Sequence, residues 1–229
     1  MATVKLHEKF PNVYWVTSDE GEKFLATKNL APRVQVYGER LFRIGGEEFR
    51  AWSPYRSKLS AAIWNKVKEI YIKPGCSVLY LGTATGTTAS HVSDIIDEKG
   101  ILYGVDFAPR VMIQFKQNVV QYRKNVIPIY ADARKPRDYS SIVGKVDVIY
   151  CDVAQPEQAK ILVENSKLML KNGGHGIIAI KARSIDSVED PEIIFKKEAK
   201  VLEDNSFKIL EIVNLEPYEK DHVLVIVEY

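Results

Sequence analysis

The stretch Val78–Asp94, "VLYLGTATGTTASHVSD", runs from an apolar strand through two glycines into the opening of a helix. Without a Cβ, Gly82 allows a tight turn and Gly86 a close approach of ligand to backbone. Ligands of open parallel sheets bind beyond the carboxyl ends of the strands. The helix that follows offers free backbone N–H groups from Thr87 and Thr88, a seat for a carboxylate or phosphate. The dinucleotide fingerprint G-x-G-x-x-G is absent, and so is a G-K-[ST] phosphate loop. A nucleotide-dependent oxidoreductase is therefore disfavoured.

Three acids extend the pattern. Asp106 ends the next apolar run in "GVDF", about twenty residues after Gly86, where a carboxylate accepts from ribose hydroxyls. Asp132 ends the third run in "IYADA", placed to accept from an exocyclic amine, and Asp152 ends the fourth in "IYCDVAQP". Any one of them alone could be a helix N-cap. Three at successive strand ends beside a glycine turn point to a ligand. A carboxylate, a ribose and an adenine without phosphate describe S-adenosylmethionine. Its expected pocket takes Gly82, Thr83, Ala84, Thr85, Gly86, Thr87 and Thr88 from the turn. Asp106 with Phe107, Asp132 with Ala133, and Asp152 with Gln155 complete it.

The elements that must position these residues follow from periodicity. In the first fifty residues, "NVYWVTS", "KFLATKN" and "RVQVYGERLFRIGGEEFRAWS" alternate apolar and polar residues between tight turns, which predicts a small antiparallel sheet. "SPYRSKLSAAIWNKVKEI" has the helical period, with Leu59, Ile63, Val67 and Ile70 on one stripe and Ser53 or Ser57 near its start. From Ser77 onward strands and helices alternate, and runs such as "VDVIY" and "GIIAI" suit a parallel sheet buried on both faces. "PYEKD" is too short for a crossover, so the last two strands form an antiparallel hairpin. The fold class is α/β: a Rossmann-like methyltransferase with a seven-stranded, mostly parallel sheet and one reversed strand. The expected division is a small β-rich domain over residues 1–54 and the methyltransferase domain over 55–229.

Composition bounds the functional classes. At 229 residues the chain is long enough for one good core. No apolar run is long enough to span a bilayer, and the start has no signal-peptide core. Cys76 and Cys151 lack metal-ligand spacing and read as reduced thiols of an intracellular, cytoplasmic protein, with no metal expected. A net charge of +2 is too balanced for strong autonomous binding to nucleic acid.

The motifs carry a family resemblance. "VLYLGTATGTTASHVSD", "DVIYCDVAQPEQ", "GGHGIIAIKARSID" and "LEPYEKDHVLVIVEY", with "YRSKLSAAI" upstream, resemble fibrillarin of the archaeal type, in order and across essentially the whole chain. No glycine- and arginine-rich tail of the eukaryotic kind is present. The resemblance implies an S-adenosylmethionine-dependent RNA 2′-O-methyltransferase acting on ribosomal RNA, with transfer RNA as a second substrate. It implies work inside a C/D-box guide RNA particle, with a Nop-domain scaffold protein and a kink-turn-binding protein of ribosomal type. The family's Lys-Asp-Lys-His pattern falls on Lys58, Asp152, Lys181 and His222. Asp106 stands where relatives often carry glutamate, a longer arm.

Methyl transfer to a ribose hydroxyl asks for such residues on chemical grounds. The donor arrives activated, so the enzyme must position a poor nucleophile and take its proton. Lys181, at the carboxyl end of "GIIAI", is the expected base, improved by burial and by Lys58 nearby. Asp152 would orient a lysine, Lys58 would hold the ribose or phosphate, and His222 would complete the hydrogen-bond network. Arg33, Arg40, Arg43, Arg50, Arg56, Arg123, Lys124, Arg134, Lys135 and Arg137 are candidates for RNA phosphates. The alternatives are a non-catalytic scaffold with a retained cofactor pocket, or a small-molecule O-methyltransferase. The second would more often show a metal-binding acid cluster or an acceptor lid, and neither is apparent.

Overall fold

The computed structural model describes all 229 residues. Two sheets form. The first is antiparallel, with β1 (Thr3–Leu6), β2 (Val13–Thr17), β3 (Lys23–Lys28), β4 (Leu41–Ile44) and β5 (Glu47–Ala51) in the order β1-β2-β3-β5-β4. The second is made of β6 (Ser77–Leu81), β7 (Ile101–Asp106), β8 (Val126–Tyr130), β9 (Val146–Cys151), β10 (Leu170–Lys181), β11 (Lys208–Asn214) and β12 (His222–Glu228). Its order is β11-β12-β10-β9-β6-β7-β8. Strand β12 runs antiparallel to both neighbours, and the remaining pairs are parallel. This is the architecture expected from the strand–helix alternation, with the reversed strand in the final hairpin.

Burial explains the order. β6, β9, β10 and β12 carry near-continuous buried runs and lie inside the sheet. β8, with Pro128 in it, and β11, with Lys208 and Glu211, lie at the edges. There a missing N–H costs no ladder bond and charges discourage edge pairing.

The helices are α1 (Lys58–Trp64), α2 (Thr87–Ile96), α3 (Pro109–Asn118), α4 (Ser140–Val143), α5 (Gln158–Met169), α6 (Ala182–Ile185) and α7 (Pro191–Asp204). Helix α1 is shorter than its apolar stripe predicts. Lys66 turns left-handed at φ 66°, and the Asn65 amide donates to the carbonyls of Asn214 and Glu216 at 2.7 and 2.9 Å. The chain then continues without helix, and Val67 and Ile70 are still buried.

"RVQVY" also departs from expectation, since it forms no strand. The Glu39 carboxylate accepts from the N–H groups of Val36 and Tyr37 at 2.9–3.0 Å, so local side-chain bonds replace a ladder. Strand β1 pairs with β2 outside the predicted set.

The first sheet packs into the same apolar core as the second. Phe10, Val13, Leu25 and Trp52 join Leu59, Ile63, Val92 and Ile95 in one cluster. A buried ionic cluster lies on the same seam. Asp94 of α2 accepts from Arg50 at 3.0 Å, Arg123 at 2.6 Å, Thr27 at 2.7 Å and the Leu30 N–H at 3.1 Å. Arg50 also pairs with Glu39, and all four charged groups are essentially without solvent contact. Burial would raise the Asp94 pKa, but Arg123 and Arg50 outweigh it and hold the carboxyl below its usual range.

Candidate active site

A cavity of about 350 Å³ opens beyond the carboxyl ends of β6, β7, β8 and β9. Gly82 and Ala84 line it from the glycine turn, Asp106 and Phe107 from the end of β7, Asp132 and Ala133 from beyond β8, and Asp152 and Gln155 from beyond β9. These eight were expected from the sequence. Thr83, Thr85, Gly86, Thr87 and Thr88 do not line it. Thr83 is buried, and the Thr88 hydroxyl donates to Ser57 Oγ at 2.9 Å inside the protein.

The two glycines serve different ends. A Cβ on Gly82 (φ 81°) would stand 2.4 Å from the Asp152 carbonyl oxygen, so bare backbone lets the β6 turn lie against the β9 turn. On Gly86 (φ 101°) a Cβ would meet Val119 at 2.3 Å and Phe115 at 2.9 Å. The protein's own Val119 and Phe115 thus make a close approach at this glycine.

None of the three acids caps a helix. The N-caps of α2, α3 and α5 are Gly86, Ala108 and Glu157. Asp106 instead accepts from the N–H of Ala84 at 3.2 Å and of Ala108 at 3.0 Å, tying the glycine turn to β7. Asp132 holds Arg134, whose Nε and Nη2 lie 2.7–3.0 Å from its two oxygens. This contact with Arg134 holds the Asp132 pKa below its usual range. A carboxylate has about four lone-pair positions, so Asp106, with two taken, keeps capacity for a ligand donor. Asp132 also accepts from the Arg134 N–H at 2.9 Å and is largely engaged by that residue.

Asp152 connects the cavity to the second group of residues. Lys58 Nζ stands 3.0 Å from both carboxylate oxygens, and the two side chains are 20% and 23% exposed. Ser57 caps α1 and so fixes where Lys58 begins. Lys181 ends β10, beside β9, and pairs in register with His222, the first residue of β12. Directly opposed strand residues share a face. The lysines, the aspartate and the histidine thus gather at one rim of the sheet.

Lys181 is exposed, so the burial expected to sharpen its basicity is not found. Its backbone is clamped by the buried Gln158 amide, which accepts from Lys181 N–H at 2.9 Å and reaches its carbonyl at 3.4 Å. The His222 Nδ1 lies 2.6 Å from the Lys220 carbonyl. A carbonyl only accepts, so Nδ1 carries hydrogen and neutral His222 keeps Nε2 as an acceptor.

Gln158 and Arg134 are the parts sequence reasoning missed in these roles, while Ser57 takes the place at the start of α1 that the sequence offered it. Gln158 stands within the quoted "DVAQPEQ" run, and only the fold shows which backbone it holds. Several expected phosphate contacts are also reassigned. Arg50 and Arg123 belong to the buried Asp94 cluster, Arg134 to Asp132, and Arg43 faces Glu48 at 3.6 Å. Cys76 and Cys151 are free thiols, half-buried and buried respectively.

Comparison with known proteins fits this geometry. The family model described as fibrillarin matches residues 4–229. A Pyrococcus furiosus protein described as a fibrillarin-like rRNA/tRNA 2′-O-methyltransferase is 55% identical over 227 residues, covering 99% of each chain. The crystal structure of Aeropyrum pernix fibrillarin with natively bound S-adenosyl-L-methionine is similar at TM-score 0.92 and 48% identity, covering 98% of this chain and 97% of that one. A fibrillarin/Nop5p complex matches at TM-score 0.85 and 40% identity, covering 97% and 99%. The match spans both sheets, the glycine turn and the rim alike, and the chain belongs to the fibrillarin family.

Proposed function

We infer that this chain is an S-adenosylmethionine-dependent 2′-O-methyltransferase of ribosomal and transfer RNA. The observation that carries the reading is the Lys58–Asp152 pair, set at the mouth of a cavity that Asp106 and Asp132 also line. The cavity suits the cofactor: an acid at the end of β7 for ribose hydroxyls, an acid beyond β8 for an amine, and apolar Val105, Val111 and Ile161 between them. Bound S-adenosylmethionine supplies a methyl group already activated on a sulfonium.

The chain's own residues then handle the acceptor. Asp152 fixes the Lys58 ammonium, which holds the target ribose or its phosphate by charge and hydrogen bond. Lys181 takes the 2′-hydroxyl proton at Nζ. Its exposed place lets an RNA strand reach it, and the Gln158 clamp keeps its backbone still. His222 offers Nε2 as an acceptor in the same network. A positioned base of this kind contributes about 10²–10⁴ in rate.

Residues 1–54 form the small β-rich domain of this enzyme and residues 55–229 its catalytic domain. The enzyme works with a Nop-domain scaffold protein, a reading supported by the complex formed by a relative. A C/D-box guide RNA selects the nucleotide by base pairing, and a kink-turn-binding protein organises that RNA. With a net charge of +2, affinity for naked RNA is weak and the particle supplies it. No helix is long and apolar enough to cross a membrane, and an intracellular setting agrees with the free thiols.

The test is transfer of label from S-adenosylmethionine to a target RNA, with and without guide RNA, scaffold and kink-turn proteins. Label on the 2′-oxygen opposite the guide, in the full mixture only, is the expected result. Transfer to a catechol or to protein would overturn it.

A further inference from the structure

A second cavity, of about 580 Å³, lies apart from the one beside Asp152. It lies where the first sheet meets α1 and the β11–β12 hairpin, with Lys23, Arg40, Tyr55, Arg56, Trp64 and Tyr218 on its walls. We propose that it is a second RNA subsite, which receives a nucleotide flanking the methylated one, the base on Tyr55 and Tyr218 and the phosphate against Arg56 and Lys23. The proposal rests on the RNA-methyltransferase reading above and extends it to a place on the chain.

Charge favours a polyanion. Lys23 and Arg56 have no carboxylate partner; they lie 4.0 Å from the Trp15 ring centroid and 5.7 Å from that of Tyr37. Arg40 makes only exposed pairs, with Glu22 at 3.4 Å and Glu20 at 3.9 Å. Glu39, the one acid on the walls, is already neutralised by Arg50 and by backbone N–H groups. Unpaired cations beside aromatic rings are the chemistry that holds single-stranded nucleic acid.

The aromatics are placed for stacking. Tyr55 is 67% exposed, and its ring centroid lies 5.2 Å from that of Tyr218, edge-on at 76°. Both adjoin the reactive rim along the chain. Tyr55 precedes Lys58 by three residues, which is at most about 11 Å between their Cα atoms at 3.8 Å per step. Tyr218 stands in the short hairpin loop that leads to His222. A volume of about 580 Å³ falls in the usual range for a small-ligand site and suits one nucleotide.

The experiment uses the assembled particle with scaffold protein, kink-turn protein and guide RNA. Target RNAs carry a photoreactive thiouridine at single positions on either side of the methylated nucleotide, and crosslinked peptides are mapped by mass spectrometry. A crosslink from one flanking position to the peptide bearing Tyr55 or Tyr218 is expected. Tyr55→Ala should raise KM for target RNA about tenfold, the size of one lost base stack, with kcat and cofactor binding unchanged. Tyr55→Phe should restore the wild-type KM.

Crosslinks confined to other peptides would overturn the proposal. So would a Tyr55→Ala variant that loses cofactor binding, or protection of residues 53–56 from hydrogen exchange by the scaffold protein without RNA. If the wild-type particle moves no methyl to RNA, the enzyme reading fails, while the crosslink still decides this one.

Discussion

Two aspartates, Asp94 and Asp152, each face basic side chains, and their surroundings give them opposite uses. Asp94 is fully buried and receives donors from Arg50, Arg123, Thr27 and Leu30. Every lone-pair direction of its carboxylate is taken by the protein, and the cluster locks α2 to the first sheet. Asp152 holds a single lysine, is 23% exposed and borders a cavity. The closed group specifies structure and leaves nothing for a ligand. The open group leaves valence and space for chemistry.

Breaking the closed group should have the largest effect. Asp94→Ala strands Arg123 in the interior without a carboxylate and leaves Arg50 with Glu39 alone, and unfolding in urea should show a loss of about 3–5 kcal/mol. Asp152→Ala should do the converse. A partly exposed pair contributes no more than about 1 kcal/mol to stability, so the melt should hardly move. Methyl transfer by the assembled particle should drop about 100-fold or more if the pair positions the acceptor. Equal losses of stability in the two variants would erase the distinction.

The closed group also titrates. His91 of α2, buried between Thr27 and Tyr37, lies 2.7 and 2.8 Å from their oxygens. Burial, and then Arg50 and Arg123, hold its imidazole well below the usual histidine range. The unfolded chain binds a proton there below about pH 6.5 and the folded one does not, so stability is present above that pH and drains as pH falls. Urea midpoints should therefore fall as pH drops from about 6.5 to about 5, and His91→Gln should make that fall shallower. A smaller effect is expected at the open group. Gln158→Leu removes the Lys181 clamp and should lower kcat about tenfold, the equivalent of one hydrogen bond of about 1.4 kcal/mol, with cofactor affinity unchanged.

Much of the open group was legible in the sequence because its signals are local. An apolar run ending in glycine or aspartate marks a strand's carboxyl end, and the sheet brings Gly82, Asp106, Asp132 and Asp152 to one edge. The closed group was not legible. Arg50 and Arg123 read as surface cations because Asp94 lies 44 and 29 residues away in the chain. A charge reveals its partner only once the fold has formed. For the same reason the length of α1 was misjudged. Its stripe continues to Ile70, but the Asn65 contacts that end the helix reach across to the final hairpin. The Gln158 clamp was hidden likewise, since nothing in "PEQ" names the backbone it grips.

The backward course of β12 has a further consequence. A strand entered from the far side begins where its neighbours finish, so the chain's last segment delivers its first residue to the business edge of the sheet with no helix to carry it there. The short bend before it is tied at its two ends, by Asn65 at the Glu216 carbonyl and by Arg183 at the Asp221 carboxylate. That bend, Leu215–Asp221, is where insertions or swaps could retune what the enzyme accepts, because the seven-stranded frame is complete on either side of it.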